Sequence, residues 1–284
     1  MKTLMLAANW GAYFYSWAQS EQLHIMPPQA IEMPGLLERF YKVILINGIG
    51  DQWLFHPCWQ QHPRSYFFLW DPARCPHYAP TPERLEQLKQ LHKCYSFQEQ
   101  DCVDFGLAFN STMYAPPPPA LLPERPELCF DVLFLGVPKD RLAQLRHLHA
   151  QLSRFDLKLH FRIGITTDQQ LMPEQAPGWL MTREWLCYPD YLQLVAQSRC
   201  LLDLYQRIQT GFSLRVMEHI FFGKKLITNN PTIKQAKFYH PNNVFLLRQD
   251  DFSGIKDWLD LPFVPIDESI KKYYNIMQWV ERFN

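Results

Sequence analysis

The chain has 284 residues, enough for two domains of ordinary size, and 47% of them are hydrophobic and 20% charged. That composition excludes a disordered chain, and the equal counts of 28 basic and 28 acidic residues remove the electrostatic case for general nucleic-acid binding. No apolar run approaches the roughly 20 residues of a membrane-spanning helix.

The cysteines and the first residues bear on the cellular compartment. The seven cysteines are Cys58, Cys75, Cys94, Cys102, Cys129, Cys187 and Cys200. Their odd number and the absence of CxxC spacing indicate free thiols in a reducing cytosol, with disulfides or a metal site as the alternatives. Residues 1–8 predict a buried strand, with a weak signal peptide as the alternative. We predict a cytoplasmic protein, and peripheral contact with the inner face of a membrane is left open.

The first half of the chain alternates short strand-like runs with helical ones. The predicted elements are strands at 2–8, 41–47, 65–69 and 93–97 and a helix at 85–92. Continuous apolar strands bounded by Gly, Asp and Pro are typical of a parallel sheet buried on both faces. Ligand contacts in doubly wound folds concentrate in the loops after such strands, here 9–11, 48–51 and 71–74.

A proline-dense segment, 115–126 (APPPPALLPERP), interrupts this pattern. Proline cannot continue a helix or a central strand and favours extended geometry. We therefore predict two domains, 1–120 and 121–284, joined by a stiff linker and facing a cleft. A rigid surface loop within one domain is the alternative interpretation.

The alternation then restarts, which predicts a second α/β unit. The predicted strands are 129–135, 158–163, 200–204, 225–228 and 244–247, and the predicted helices are 140–155, 188–198, 214–222 and 270–282.

The segment 209–230 (QTGFSLRVMEHIFFGKKLITNN) carries the strongest chemical signal. Gly211 allows backbone to approach a ligand, and Ser213 is a natural helix N-cap. A helix N-terminus offers free N–H groups to a diphosphate, and Glu218, over a turn into the helix, could accept from a ribose diol. The alternative is an ordinary strand–turn–helix with a capping serine.

The run GFSLRVMEHIFFGKKLITNNP at 211–231 resembles the "G.S.R..E....GK.LIT.N" stretch of bacterial glycosyltransferases that build lipopolysaccharide and capsular polysaccharide, including CgeB-like proteins. The stretches YFFLWD (66–71), CYSFQEQD (94–101), FGLAFNSTMY (105–114) and DVLFLGVPKD (131–140) are similar to further features of those proteins. The resemblance implies an α/β fold of GT-B type with two Rossmann-like domains, in which the last helix often crosses back to the first domain.

The same resemblance implies a set of donor-binding residues. They are Gly136, Lys139, Arg141, Arg207, Thr210, Gly211, Ser213, Arg215 and Glu218. By this likeness Gly211, Ser213 and Arg215 would face the phosphates of the donor, and Glu218 would contact its ribose. Lys139, Arg141 or Arg207 would stabilise the leaving diphosphate without a metal. Each of these three cations could instead be a solvated surface side chain.

The acceptor side is less well defined. The region between Asn9 and Tyr41 leaves little room for a complete strand–helix unit, so a trimmed N-terminal domain is expected. Asp71 and Asp51, each after a predicted strand, are the candidates for the base of an inverting enzyme. Asp71 could equally form a turn before Pro72, and Asp51 could be a loop acid. A retaining enzyme would need no such base.

The sequence thus predicts a glycosyltransferase that moves a sugar from a nucleotide-diphosphate donor to a glycan or glycolipid acceptor. No cofactor, no metal and no nucleic-acid partner is expected. Two alternatives stay open, namely a nucleotide-sugar epimerase and a non-catalytic nucleotide- or glycan-binding module of a synthesis complex.

Overall fold

A computed structural model describes residues 2–8, 13–71, 73, 80–124, 126–165, 176–205, 211–247 and 251–284. The chain divides into two compact units. Unit 1 consists of Met1–Pro117, Gln206–Leu214 and Lys271–Asn284, and unit 2 of Pro118–Tyr205 and Arg215–Ile270. The first change of unit, between Pro117 and Pro118, falls inside the proline-dense segment.

Unit 1 contains a six-stranded sheet whose paired strands are all parallel. Its strands are β1 (Thr3–Leu6), β2 (Leu23–Met26), β3 (Lys42–Ile46), β4 (Ser65–Leu69), β5 (Lys93–Ser96) and β6 (Ala108–Phe109). They lie in the order β2-β1-β3-β4-β5-β6. All residues of β1, β3 and β4 are buried, as expected for apolar strands covered on both faces.

The sequence predicts a trimmed N-terminal domain, but the sheet of unit 1 keeps a strand in the short region between Asn9 and Tyr41. Leu23–Met26 forms β2, which pairs along its whole length with β1. The preceding helix is only one turn long, Tyr15–Ala18, and a 3-10 helix at Pro28–Glu32 follows. The short region therefore keeps its strand and abbreviates its helices, because pairing needs only four residues whereas a stable helix needs several turns.

Unit 2 contains a second six-stranded parallel sheet. Its strands are β7 (Phe130–Gly136), β8 (Leu159–Gly164), β9 (Trp179–Thr182), β10 (Ser198–Asp203), β11 (Lys225–Thr228) and β12 (Val244–Leu246). Their order is β12-β11-β10-β7-β8-β9. Counted from β7, this is the 3-2-1-4-5-6 order of a Rossmann sheet. The predicted α/β class with two parallel sheets is confirmed.

The helices predicted at 85–92, 140–155, 188–198 and 214–222 are present with adjusted ends, and the structure adds short helices that were not predicted. In chain order the helices are α1 (Tyr15–Ala18), α2 (Asp51–Leu54), α3 (Pro82–Leu91), α4 (Glu99–Phe105), α5 (Leu142–Leu152), α6 (Tyr188–Ala196), α7 (Leu214–Phe222), α8 (Ile255–Asp260), α9 (Glu268–Tyr274) and α10 (Ile276–Glu281). Those that were not predicted are α1, α2, α4 and α8. The apolar residues of α5, Leu145, Leu148 and Leu152, recur at helical spacing and are buried in the core of unit 2.

The prediction of a single helix at 270–282 is wrong in one respect, because the helix is interrupted at Asn275 and forms α9 and α10. The Asn275 side chain accepts a hydrogen bond from the Met277 N–H at 2.9 Å, which is the geometry of a helix N-cap. Main-chain bonds of 2.8 Å link Tyr114 to Tyr274 and Ile276 on either side. Asparagine competes with the helical backbone through its side chain, so it starts a new helix here.

Candidate functional site

The topological switch point of unit 2 lies between β7 and β10, where the strand order reverses. At a switch point of an open α/β sheet, the connections after the two neighbouring strands run in opposite directions, and ligands bind in the crevice at the carboxyl ends of those strands. β7 ends at Gly136 and β10 at Asp203. We call these two strand ends, with the side chains of Arg141, Asp203 and Arg215, the switch-point site.

Arg215 in the first turn of α7 reaches both strand ends. Its guanidinium donates to the main-chain oxygen of Leu135 and lies 3.9 Å from the Asp203 carboxylate. The same group lies over the Phe134 ring, 5.0 Å from the centroid. Its side chain is 17% exposed. Burial lowers the pKa of Arg215, but Tyr191, Asp203 and Glu218 outweigh that effect and raise it, so the group stays charged.

Arg141, just before α5, donates hydrogen bonds to the chain that follows β7 and to the chain that follows β10. Its guanidinium donates to the main-chain oxygens of Pro138 and Val137, both at 3.3 Å, and to that of Leu204 after β10. Burial lowers the pKa of Arg141, and the charge of Arg215 lowers it further. The two guanidinium groups therefore interact at this strand edge, and the carboxylate of Asp203 acts against their repulsion.

The other residues predicted around the donor fall in different places. Gly136 touches the guanidinium, since a Cβ added there would lie 3.6 Å from Arg215 Nη2. Lys139 is exposed and has a positive φ of 50° in the loop after β7. Arg207 and Thr210 lie outside the described residues.

Gly211 and Ser213 belong to unit 1, whereas Arg215 and Glu218 belong to unit 2. A Cβ at Gly211 would lie 2.6 Å from the main-chain oxygen of Phe97 and still closer to its ring. Close packing on Phe97 therefore explains the glycine without a ligand. Ser213 directly precedes α7. The contact of Gly211 and Ser213 with a donor phosphate stays a prediction.

Glu218 is buried, with 2% of its surface exposed. Its two carboxylate oxygens accept hydrogen bonds from the hydroxyl groups of Tyr188, at 2.8 Å, and Tyr191. Burial raises the pKa of Glu218 to about 7, against the opposing charge of Arg215 and the two tyrosine bonds. A ribose could reach this carboxylate only after the tyrosines move, so the predicted ribose contact stays a prediction.

The two acids proposed as bases both lie in unit 1 and differ in setting. Asp71 follows β4 and is partly buried, and its Oδ2 is 3.3 Å from the Asn47 amide nitrogen, which follows β3. The Asp51 side chain is 66% exposed and forms an ion pair with Arg84. Asp101, 3% exposed, accepts a hydrogen bond from the Ala73 N–H at 2.8 Å, two residues after Asp71. Asp71 thus lies partly buried at the carboxyl end of a strand, whereas Asp51 lies on the surface.

Sequence reasoning missed Asp203, Tyr188 and Tyr191. The signal for Asp203 was an acid inside the apolar run CLLDLY, which is unusual in a strand buried on both faces. Tyr188 and Tyr191 are three residues apart on α6, a spacing that predicts a shared helix face. Nothing in their spacing indicates that this face meets Glu218 of α7.

Comparisons with known proteins give no family assignment. No protein-family model matches the chain, and no curated protein sequence matches it. The resemblance to lipopolysaccharide and capsule glycosyltransferases stays a prediction. The features of unit 2 that bear on it are the strand order and the two arginines of the switch-point site.

Three further observations describe the rest of the chain. Among the described residues, no group of three or more His, Cys, Asp or Glu side chains could hold a metal ion, and no helix is long and apolar enough to span a membrane. A cavity of about 530 Å³ is lined by residues that include Ser65, His92, Lys93 and Asn284. Because Ser65 and Lys93 begin β4 and β5, this cavity lies at the amino edge of the unit 1 sheet, away from Asp71.

We expect neighbouring Glu218 and His219 to have opposite effects on stability between pH 4 and 7. Burial lowers the pKa of fully buried His219 from 6.5 to about 4, so its contribution to stability is lost as the pH falls through this range. The pKa of Glu218 is raised from 4.5 to about 7, so its contribution is lost as the pH rises. Each shift corresponds to about 3 kcal/mol, and the two should nearly cancel in the wild type.

Urea unfolding at several pH values between 4 and 8 tests this. Glu218→Gln should make stability rise with pH by about 3 kcal/mol, because His219 is then the one member of the pair that still titrates. His219→Gln should make it fall by a similar amount. A wild-type profile that keeps its shape in both variants would contradict the buried titration of the pair.

Proposed function

We propose that this protein is a glycosyltransferase of GT-B type, which moves a sugar from a nucleoside-diphosphate donor to a glycan or glycolipid acceptor in surface polysaccharide synthesis. The observation that carries the proposal is the pair of guanidinium groups, Arg141 and Arg215, at the switch point of a sheet with Rossmann order. Guanidinium groups match phosphate oxygens in charge and geometry, and this is where α/β sheets bind ligands.

The two arginines would act on the leaving group. When the bond between the sugar and the diphosphate breaks, negative charge develops on the departing phosphate oxygen. A cation that the fold already holds in position stabilises that charge without reorganising during the reaction. Arg141 and Arg215 meet this requirement, since main-chain oxygens hold both guanidinium groups in place.

Asp71 would serve the acceptor. In an inverting transfer the acceptor hydroxyl gives its proton to a carboxylate while its oxygen forms the new bond to the anomeric carbon. The bond from that carbon to the diphosphate breaks, and its electron pair leaves with the nucleoside diphosphate. The Asn47 amide, 3.3 Å from Asp71 Oδ2, would orient the carboxylate for this role.

The likeness of 211–231 to glycosyltransferases of lipopolysaccharide and capsule synthesis supports the choice of acceptor class. The proposed function includes a cytoplasmic location, at the inner face of the membrane when the acceptor is a glycolipid. Contact with the membrane would then be peripheral and made through the acceptor.

The first expected result is stabilisation by nucleotides. At 100 times its Kd a ligand stabilises the folded state by about 2.7 kcal/mol, which corresponds to a rise in Tm of roughly 5–10 °C for a unit of this size. Thermal unfolding with UDP, GDP, CMP and dTDP should show such a rise for at least one of them. The matching nucleoside without phosphates is the control and should give a much smaller rise.

Product analysis separates the proposal from its rivals. A transferase incubated with the preferred nucleotide sugar releases the nucleotide, slowly to water and faster with an acceptor. An epimerase would isomerise the donor without any second substrate, and a binding module would leave it unchanged. Absence of nucleotide stabilisation in the whole panel would contradict the proposed donor.

A further inference from the structure

Trp185 is a large aromatic side chain exposed beside the carboxyl edge of the unit 2 sheet. It is 60% exposed, more than any other described tryptophan. Its ring lies over Gly164, the last residue of β8, because a Cβ added to Gly164 would lie 2.8 Å from Cη2 and 2.9 Å from Cζ3 of the ring. The indole therefore packs directly on glycine backbone and leaves much of its surface open.

The short segment that carries Trp185 is held by side chains on both sides. The Glu184 N–H donates to Thr182 Oγ1 at 3.0 Å, which tightens the chain as it leaves β9. Arg162 Nη2 on β8 donates to the Glu184 main-chain oxygen, also at 3.0 Å. These two bonds fix the backbone next to Trp185, so the ring is presented from a defined position.

The register of the sheet places this ring near the switch-point site. Gly136, the last residue of β7, pairs with Ile163 of β8, and Gly164 is the next residue along. Adjacent strands lie about 4.8 Å apart. Gly136, which Arg215 Nη2 approaches, and Gly164, which the ring covers, therefore lie at the same carboxyl edge on adjacent strands, with their Cβ directions on opposite faces of the sheet.

We propose that Trp185 is a stacking platform for the nucleobase of the nucleotide whose diphosphate Arg141 and Arg215 bind. The inference rests on the proposed function and adds the base to its site. A planar heteroaromatic ring is the ligand part that best covers an open indole, and the ribose spans the gap to the phosphates. Every base has a π-face, so the platform contributes affinity without selecting the base.

The stacking role of Trp185 is tested by calorimetric titration of the full chain with three probes, UDP, GDP and inorganic pyrophosphate. Trp185→Ala should weaken UDP and GDP about 5- to 150-fold, the range of one base-stacking contact. Pyrophosphate has no base, and its affinity should stay within about twofold. Trp185→Phe keeps an aromatic face and should retain most of the nucleotide affinity.

Gly164→Ala gives an independent test, because the backbone there tolerates alanine and the added methyl group meets only the Trp185 ring at short range. It should displace the ring and weaken UDP and GDP while leaving pyrophosphate unchanged. Leu180→Ala is the matched control, since Leu180 is 43% exposed on neighbouring β9. It should change none of the three affinities.

Several outcomes would overturn the platform. Unchanged UDP and GDP affinity in Trp185→Ala would overturn it while leaving the proposed function intact. An equal loss of pyrophosphate affinity would show that the ring supports the phosphate site instead. A loss confined to UDP-sugars, with UDP unaffected, would assign the ring to the sugar. Wild-type protein that binds none of the probes would overturn the proposed function itself.

Discussion

Replacement of Arg215 by methionine is expected to weaken nucleoside-diphosphate binding about 10- to 150-fold, the range for a lost hydrogen bond to a charged group. It should also lower the free energy of unfolding by about 3–5 kcal/mol, because it removes the cation from a buried charged cluster. Asp203, whose side chain is 7% exposed, and Glu218 would lose their nearest positive charge, and the Leu135 oxygen would lose its donor. Calorimetric titration with UDP and urea unfolding measure the two effects.

A double variant separates the two consequences. In Arg215→Met the pKa of Glu218 rises because the opposing cation is gone, and adding Glu218→Gln removes this buried ionisation, so part of the stability lost above pH 7 should return. Nucleotide binding should not return, because the phosphate contact is still missing. If the single variant fails to fold, the double variant is compared with Glu218→Gln alone, so that any further loss of binding belongs to Arg215.

Arg199→Met is the matched control on the same sheet. Arg199 lies near the amino end of β10, and its guanidinium pairs with Asp131 at 3.1 Å and Asp260 at 2.6 Å. With a side chain 32% exposed, it should contribute no more than about 1 kcal/mol, and its removal should leave binding unchanged. Equal effects of the two arginine variants on UDP binding would contradict a site at the carboxyl edge.

Asp71→Asn should lower the rate of nucleotide release from the preferred nucleotide sugar by about 100- to 10,000-fold, the usual contribution of a general base. The substitution keeps the size and polarity of the side chain and removes only its ability to accept a proton. Affinity for the free nucleotide should be unchanged, since the nucleotide contacts are proposed in unit 2. Steady-state kinetics and calorimetry on the same preparation give both quantities.

Asp51→Asn is the comparison that decides between the two acids. Asp51 is a surface carboxylate paired with Arg84, so its loss should change the rate by less than about twofold and stability by less than about 1 kcal/mol. A larger effect at Asp51 than at Asp71 would reverse the assignment. Full activity in both variants would favour a retaining mechanism, which needs no base.

Much of the fold follows from local patterns in the chain. The runs YKVILIN and SYFFL predict buried strands because each is apolar throughout, and β3 and β4 are buried at every position. The strands that were missed, β2, β6 and β9, are short, and β2 and β9 alternate or mix buried and accessible residues. Short runs of that kind carry too few residues for a period to be recognised.

The site was only partly predictable for a different reason. Arg141, Arg215 and Gly136 were expected at the site from the resemblance of 131–140 and 211–231 to glycosyltransferases. Their proximity depends on β10 lying next to β7, an arrangement that the order of elements along the chain does not specify. Gly211 illustrates the opposite case, because a glycine expected to face a ligand is explained by its packing on Phe97.

The sequence by itself determined the α/β class, most of the strands and helices and the position of the proline-dense break. These properties depend on neighbours a few residues apart, whose chemistry can be read directly along the chain. Only the tertiary structure decided that Glu218 is buried under Tyr188 and Tyr191 and that Arg141 and Arg215 share one strand edge. Those contacts form because the sheet order brings elements that are distant in sequence side by side. Burial then shifts the pKa values of the ionisable groups.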